Sequence, residues 1–327
     1  MRRAPQDGYD FGNKRQYRRN IWRTFADELK RRNLSVADSD VLLMPTSEGD
    51  EIEVARNAGF REEKMHVVDE NPAIVATLRR RYPLIHTYGV TAGRAVERIA
   101  RERRILLRCA NLDFCGCISN SYVDELQQIA AYGSVGQAFD AMALIAVTTQ
   151  RGRERTSIFS SLQTLGKKLP VLADLTDVIA DSDKRDPWAE AAGATLLQLS
   201  HLDEVDRARV CTIGLILSLA HSWVGYQEHL RMPPPLAKLI RVGKYQSTSP
   251  MMWSIWEVQS PTVAPIGDGK YARATNYLCE FLQAHPKYRL SCTRPTHVLQ
   301  WSRPYYARDL ELVIRLKESA GGRPLTG

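Results

Sequence analysis

Residues 41–72, VLLMPTSEGDEIEVARNAGFREEKMHVVDENP, limit what this chain can fold into more than any other stretch. Val41 to Met44 and Met65 to Val68 are short, unbroken apolar runs, the pattern of strands buried on both faces of a parallel sheet. Between them, Pro45 to Gly49 can turn tightly and the residues that follow suit a helix, whose N-terminal amides then face the strand ends. Asp69 closes the second run 20 residues after Gly49, where a strand-end carboxylate can hold both hydroxyls of a ribose.

This layout is similar to the adenosine-binding half of a Rossmann fold, with one departure. A pyrophosphate needs several glycines so that backbone amides can close on it, whereas Thr46 to Glu51 holds one glycine and three acids. Such a turn repels phosphate. It suits an adenosine ligand with a cationic or zwitterionic tail, a description that S-adenosylmethionine meets. That cofactor ranks ahead of a dinucleotide and ahead of a Rossmann-type layer that binds nothing. The expected contacts are Thr46, Ser47, Glu48, Gly49, Asp69 and Asn71, with Val90 at the end of the third strand.

A length of 327 residues allows one large core plus a smaller module. Lys and Arg number 45 against 37 Asp and Glu, a net charge of +8 that favours an anionic partner such as nucleic acid. The six cysteines form no Cys-x-x-Cys pair, so no structural metal site is expected. No apolar core follows the arginines near Met1, which argues against a secretory signal and for a cytoplasmic protein. Val210 to Val224 is the most apolar segment, but it includes His221 and is too short to span a bilayer.

Three regions are expected. Residues 1–37 form a basic arm and an amphipathic helix with Ile21, Trp22, Phe25 and Leu29 on one face and an arginine face opposite, and Arg18 and Arg19 are expected to contact nucleic acid. Residues 38–260 alternate strands and helices: a helix over Pro72 to Arg81, a strand near Leu84 to Val90, a helix over Thr91 to Arg103, strands over Ile105 to Phe114 and Ala141 to Thr148, and a helix between these two. A hairpin, Leu239 to Ser247 and Met251 to Gln259, follows. The fold class is therefore α/β, a doubly wound and mostly parallel sheet with a terminal antiparallel hairpin. Residues 261–327 are expected to add a small α+β module, with Arg294, Trp301 and Arg303 in a stretch of alternating basic and aromatic residues. That stretch can stack bases and neutralise phosphates, or pack its rings inward.

In an open parallel sheet the ligand crevice lies beyond the carboxyl ends of the strands, which points to Asn111-Leu112-Asp113-Phe114-Cys115-Gly116 at the end of the fourth strand. Asn111 and Asp113 either line the pocket or cap the next helix. The order of elements, the Val-Val-Asp-Glu-Asn-Pro run at 67–72 and this motif together resemble class I S-adenosylmethionine-dependent methyltransferases. The fourth-strand motif is similar to those of tRNA guanosine N2-dimethyltransferases and three-Cys-motif partner proteins, with Phe114 and Cys115 in place of Pro and Phe. The resemblance implies that Asp69 binds ribose, that Asn71 helps hold the adenosine, and that Asn111 and Asp113 orient the acceptor, a base nitrogen of a nucleic acid. A catalytically inactive Rossmann-like nucleic-acid-binding or accessory protein is the alternative. The context of Cys115 and Cys117 fits structural thiols better than a nucleophile.

Overall fold

The computed structural model describes residues 11–102, 105–130, 132–133, 138–156, 159, 163, 199, 201–225 and 236–259. Strands β1 (Asp40–Leu43), β2 (Met65–Val68), β3 (His86–Tyr88), β4 (Leu107–Asp113), β5 (Phe139–Gln150), β6 (Leu236–Gln246) and β7 (Pro250–Gln259) form one seven-stranded sheet in the order β3-β2-β1-β4-β5-β7-β6. The first five run parallel. β7 is antiparallel to β5 and to β6. This is the mostly parallel α/β sheet with a terminal antiparallel hairpin that the sequence predicts, and the order reverses direction between β1 and β4. Residues 261–327, and with them Arg294, Trp301 and Arg303, lie outside the described residues.

Alternation along the strands divides the core in two. Leu42 of β1 and Ala110 and Leu112 of β4 face helices α4 (Ala92–Glu102), α5 (Asn120–Ala130) and α6 (Glu204–Gly225). Val41 and Leu43 face the other side, where α1 (Phe11–Arg31) and α2 (Asp50–Asn57) pack together with part of α3 (Pro72–Arg81). Ile21, Trp22, Phe25 and Leu29 of α1 are fully buried there, as their spacing predicts. At about 1.5–3 kcal/mol per buried large side chain, this stripe anchors α1 to the sheet. Arg18 departs from the expected contact with nucleic acid. It is 2% exposed and lies on the buried side of the helix.

Local chemistry sets the element ends. Asn71 caps α3 by accepting a hydrogen bond from the Ala73 amide at 3.0 Å, with Pro72 in the first helical turn where its missing N–H costs nothing. At the far end of the sheet an ion network joins β5, α6 and β6: Asp206 accepts from Arg151 Nε at 2.8 Å, sits 2.5 Å from Lys244 Nζ and pairs with Arg209. No helix among the described residues is long and apolar enough to cross a membrane.

Burial alone would raise the Asp206 pKa, but its bonds to Arg151 and Lys244 hold it at about 2. A carboxylate depressed in this way contributes stability that is present above its unfolded value near 4 and is lost as the pH falls towards 2. The stability gap between the unmutated protein and Asp206→Asn, measured by urea unfolding at a series of pH values, is expected to shrink by about 2 kcal/mol between pH 5 and pH 2. A gap independent of pH would show that the network does not depend on the Asp206 charge.

Candidate functional site

A cavity of about 770 Å³ opens at the carboxyl ends of β1, β2 and β4, at the point where the strand order reverses. This is where an open α/β sheet places ligands. One wall is the β1–α2 turn. Its closure is local: the Gly49 amide donates to the Thr46 carbonyl at 2.9 Å, and the Gly49 carbonyl accepts from Ile52 and Glu53 to start α2. Gly49 has φ 71°, in the left-handed region, and a Cβ built there would lie 2.6 Å from Cε2 of the Tyr82 ring. The turn's single glycine is therefore required by both backbone conformation and space.

Of the residues expected to bind the cofactor, Thr46, Ser47, Glu48, Asp69 and Val90 line the cavity. Asp69 Oδ1 accepts the Asn71 amide at 2.7 Å, which fixes the carboxylate at the end of β2. Gly49 shapes the turn from behind, and the Asn71 side chain is used as the α3 cap. Asp50 and Glu70 add to the acidic lining. Hydrogen bonding to Thr46 lowers the Glu48 pKa, so this wall carries negative charge at neutral pH.

The β4 end is arranged differently. Strand alternation turns Asn111 and Asp113 towards α1 and α2, away from the Ala110 and Leu112 side. Asn111 is fully buried and its Nδ2 donates to Glu51 Oε1 at 2.5 Å; Trp22 Nε1 donates to the same oxygen at 3.2 Å. Asp113 reaches the cavity, where Lys14 Nζ lies 3.0 Å and Arg18 Nη2 3.4 Å from its Oδ2. Arg18 Nε in turn faces Glu51 Oε2 across 3.9 Å. Burial pushes the Glu51 pKa up against the pull of Arg18. Burial also opposes the charges of Lys14 and Arg18, but the neighbouring carboxylates outweigh it and both pKa values are raised. Two acids and two bases thus form one closed cluster spanning α1, α2 and β4.

Sequence reasoning missed several cavity residues. Lys14 and Arg15 come from α1, Phe114 and Tyr122 make an edge-to-face pair with centroids 5.0 Å apart, and Glu125 accepts the amides of Ala92 at 2.8 Å and Gly93 at 3.3 Å. Burial raises the Glu125 pKa against these two bonds. For Arg18 the helical period was the available signal, since it shares the face of Ile21, Trp22, Phe25 and Leu29, but nothing in that pattern marks the strand it meets. Cys115 Sγ lies 3.6 Å from Lys14 Nζ, but the Asp113 charge and then burial raise its pKa, which keeps it a thiol. Arg19 is exposed on α1. Among the described residues no group of His, Cys, Asp and Glu could hold a metal ion. In comparisons with known proteins, the chain matches no family model and no curated protein.

Replacing Gly49 by Ala combines a left-handed backbone with a collision against Tyr82. Gly49→Ala is expected to destabilise the protein by about 2–4 kcal/mol. Urea unfolding reads this directly, and a change below about 0.5 kcal/mol would mean that the turn relaxes without difficulty.

Proposed function

We propose that this protein is an S-adenosylmethionine-dependent methyltransferase that acts on a nucleic acid, at a base nitrogen. The observation that carries the reading is the acidic wall of Glu48, Asp50, Asp69 and Glu70 on a cavity at the sheet's point of reversal. Carboxylates there disfavour a pyrophosphate and favour adenosine attached to a cationic tail. The residues fit such a ligand: Asp69 is oriented by the Asn71 amide and can accept from ribose hydroxyls, and Val90 and Thr91 offer a surface beside Val68 for a flat ring.

When bound, the cofactor supplies an electrophilic methyl group on a sulfonium, so the protein's main task is alignment in a site shielded from water. Glu48 and Asp69 orient the donor side. Phe114, backed edge-to-face by the buried Tyr122, offers an aromatic surface to an acceptor ring, and Asp113 presents a carboxylate oxygen at the cavity, held in place by Lys14 and Arg18. Asn111, buried beneath, acts on the site through Glu51 and Arg18 as a positioning residue.

A second reading, a nucleic-acid-binding protein without catalysis, draws on the same clamp. The chain's own cations already pair with Asp113 at the acceptor end.

Titration calorimetry with S-adenosylmethionine tests the cofactor. The unmutated protein should bind it, and Asp69→Ala should weaken binding by about 2–4 kcal/mol through loss of charged hydrogen bonds to ribose. Mass spectrometry of RNA and DNA incubated with isotopically labelled cofactor then tests transfer. An unmutated protein that does not bind the cofactor, or a variant that binds equally well, overturns the assignment. Cofactor binding with no label transferred leaves the non-catalytic reading.

A further inference from the structure

The charge around the cavity is not evenly spread. Glu48, Asp50, Asp69 and Glu70 lie on the β1 and β2 side. Asp113 is held by Lys14 and Arg18 and Glu125 by the Ala92 and Gly93 amides, while the opposite rim, built by the start of α1 and the segment after β5, is basic. Arg15 lines the cavity and is exposed, and Arg19 follows one helical turn later on the same exposed face. Across the mouth, the Arg153 carbonyl accepts from Cys117 Sγ, itself a cavity residue, at 3.4 Å, and the Gly116 carbonyl accepts from the Gln150 amide at 2.9 Å. These contacts bring the backbone of Arg153 to the same rim, with Arg155 two residues further along, and both side chains are exposed. The Asn13 side chain, donating to the Gln246 carbonyl at 3.1 Å, and the Arg151 amide, donating to the Pro250 carbonyl at 2.9 Å, fasten both segments to the hairpin.

No carboxylate among the described residues forms an ion pair with Arg15, Arg19, Arg153 or Arg155. The acids within reach are already engaged: Asp113 by Lys14 and Arg18, Glu154 by Arg209, and Asp206 by Arg151, Arg209 and Lys244. Many exposed arginines elsewhere have an acid close by in sequence, as in Arg23 with Asp27, Arg31 with Glu28, Arg56 with Glu53 and Arg101 with Glu97. Four exposed guanidiniums without such partners, beside a cavity that presents the half-buried Phe114 ring backed by Tyr122, match a chain of phosphates carrying aromatic bases. An acidic peptide would satisfy the cations but would leave the aromatic surface without a partner of matching shape.

We propose that a nucleic-acid strand crosses the mouth of the cavity on this rim, its phosphates on Arg15, Arg19, Arg153 and Arg155 and one base turned inward to Phe114. The inference rests on the nucleic-acid substrate proposed above and specifies the surface that holds it. It also replaces the expectation for Arg18, whose guanidinium is buried in the charge cluster.

Fluorescence anisotropy of labelled single-stranded RNA and DNA oligonucleotides, titrated with the full chain between about 50 and 200 mM salt, tests it. Neutralising one phosphate contact should reduce the salt slope by about 1, so Arg15→Gln with Arg19→Gln, and separately Arg153→Gln with Arg155→Gln, should each reduce it by about 2. The control, Lys30→Gln with Arg98→Gln, removes the same charge from exposed positions away from the rim and should leave the slope unchanged. Calorimetry with S-adenosylmethionine keeps the two proposals apart, since Arg153→Gln with Arg155→Gln, whose side chains do not line the cavity, should bind it as the unmutated protein does. A slope lowered by the control as much as by the rim pairs overturns the rim while leaving a nucleic-acid partner in place. An unmutated protein without salt-dependent affinity overturns both the rim and the nucleic-acid substrate, whatever calorimetry gives for the cofactor.

Discussion

The rest of the site depends on one buried charge cluster, Glu51–Arg18–Asp113–Lys14. Moving a carboxylate or a cation out of water costs several kcal/mol per ion, so such groups persist in a core only where partners and hydrogen bonds compensate. Here the compensation crosses three elements. Glu51 comes from the first turn of α2, Asp113 from the end of β4 and the two cations from α1, while Trp22 and Asn111 occupy a Glu51 oxygen. Apolar packing of Ile21, Phe25 and Leu29 would hold α1 on the sheet over a range of positions. The ion cluster sets its position along the strands, and thereby sets which α1 residues stand at the cavity mouth.

The β1–α2 turn is the complementary constraint. Gly49 lets the chain reverse within the Thr46–Gly49 turn and leaves room for Tyr82, whose hydroxyl donates to Glu53 at 2.9 Å. Arg81 Nη1 donates to the Glu48 carbonyl at 2.5 Å, so the end of α3 braces the same turn. A glycine-rich loop would leave its amides free for phosphate. This turn, with one glycine, aromatic backing and acidic side chains, presents carboxylates to the cavity.

The fold was legible because its signals are local. Continuous apolar runs marked the central strands, Asn71-Pro72 marked the start of α3, and the stripe of α1 gave its buried face. Asp69 was legible as a site residue because a strand-end position follows from the strand itself. The charge cluster was not legible. Helical spacing sets Arg18 on the stripe of Ile21, Trp22, Phe25 and Leu29, whereas Arg15 and Arg19 fall off its centre and stay in solvent, but the Arg18 partner Asp113 lies 95 residues away and no local pattern names it. Asn111 shows the limit from the other side. The period of a strand predicts that it shares a face with Asp113, yet whether that face meets solvent, ligand or another helix depends on what packs there, and α2 supplies Glu51.

The cluster and the turn together give the cavity its polarity. A carboxylate field on the β1 and β2 side and guanidiniums on the α1 and β5 side would be of little consequence if acids and bases paired across the mouth. Instead, the acids near the basic rim are consumed internally, Asp113 by α1 and Glu154 by Arg209. Among the described residues, internal pairing on that side leaves Arg15, Arg19, Arg153 and Arg155 without a carboxylate partner, and a cavity mouth focuses the field of such charges. On the proposed reading, a polyanion and a ligand with a cationic tail can then share one cavity, because each is repelled from the half that the other occupies. Discrimination between donor and acceptor would therefore arise from where the chain pairs its own charges, before any hydrogen bond to either ligand forms.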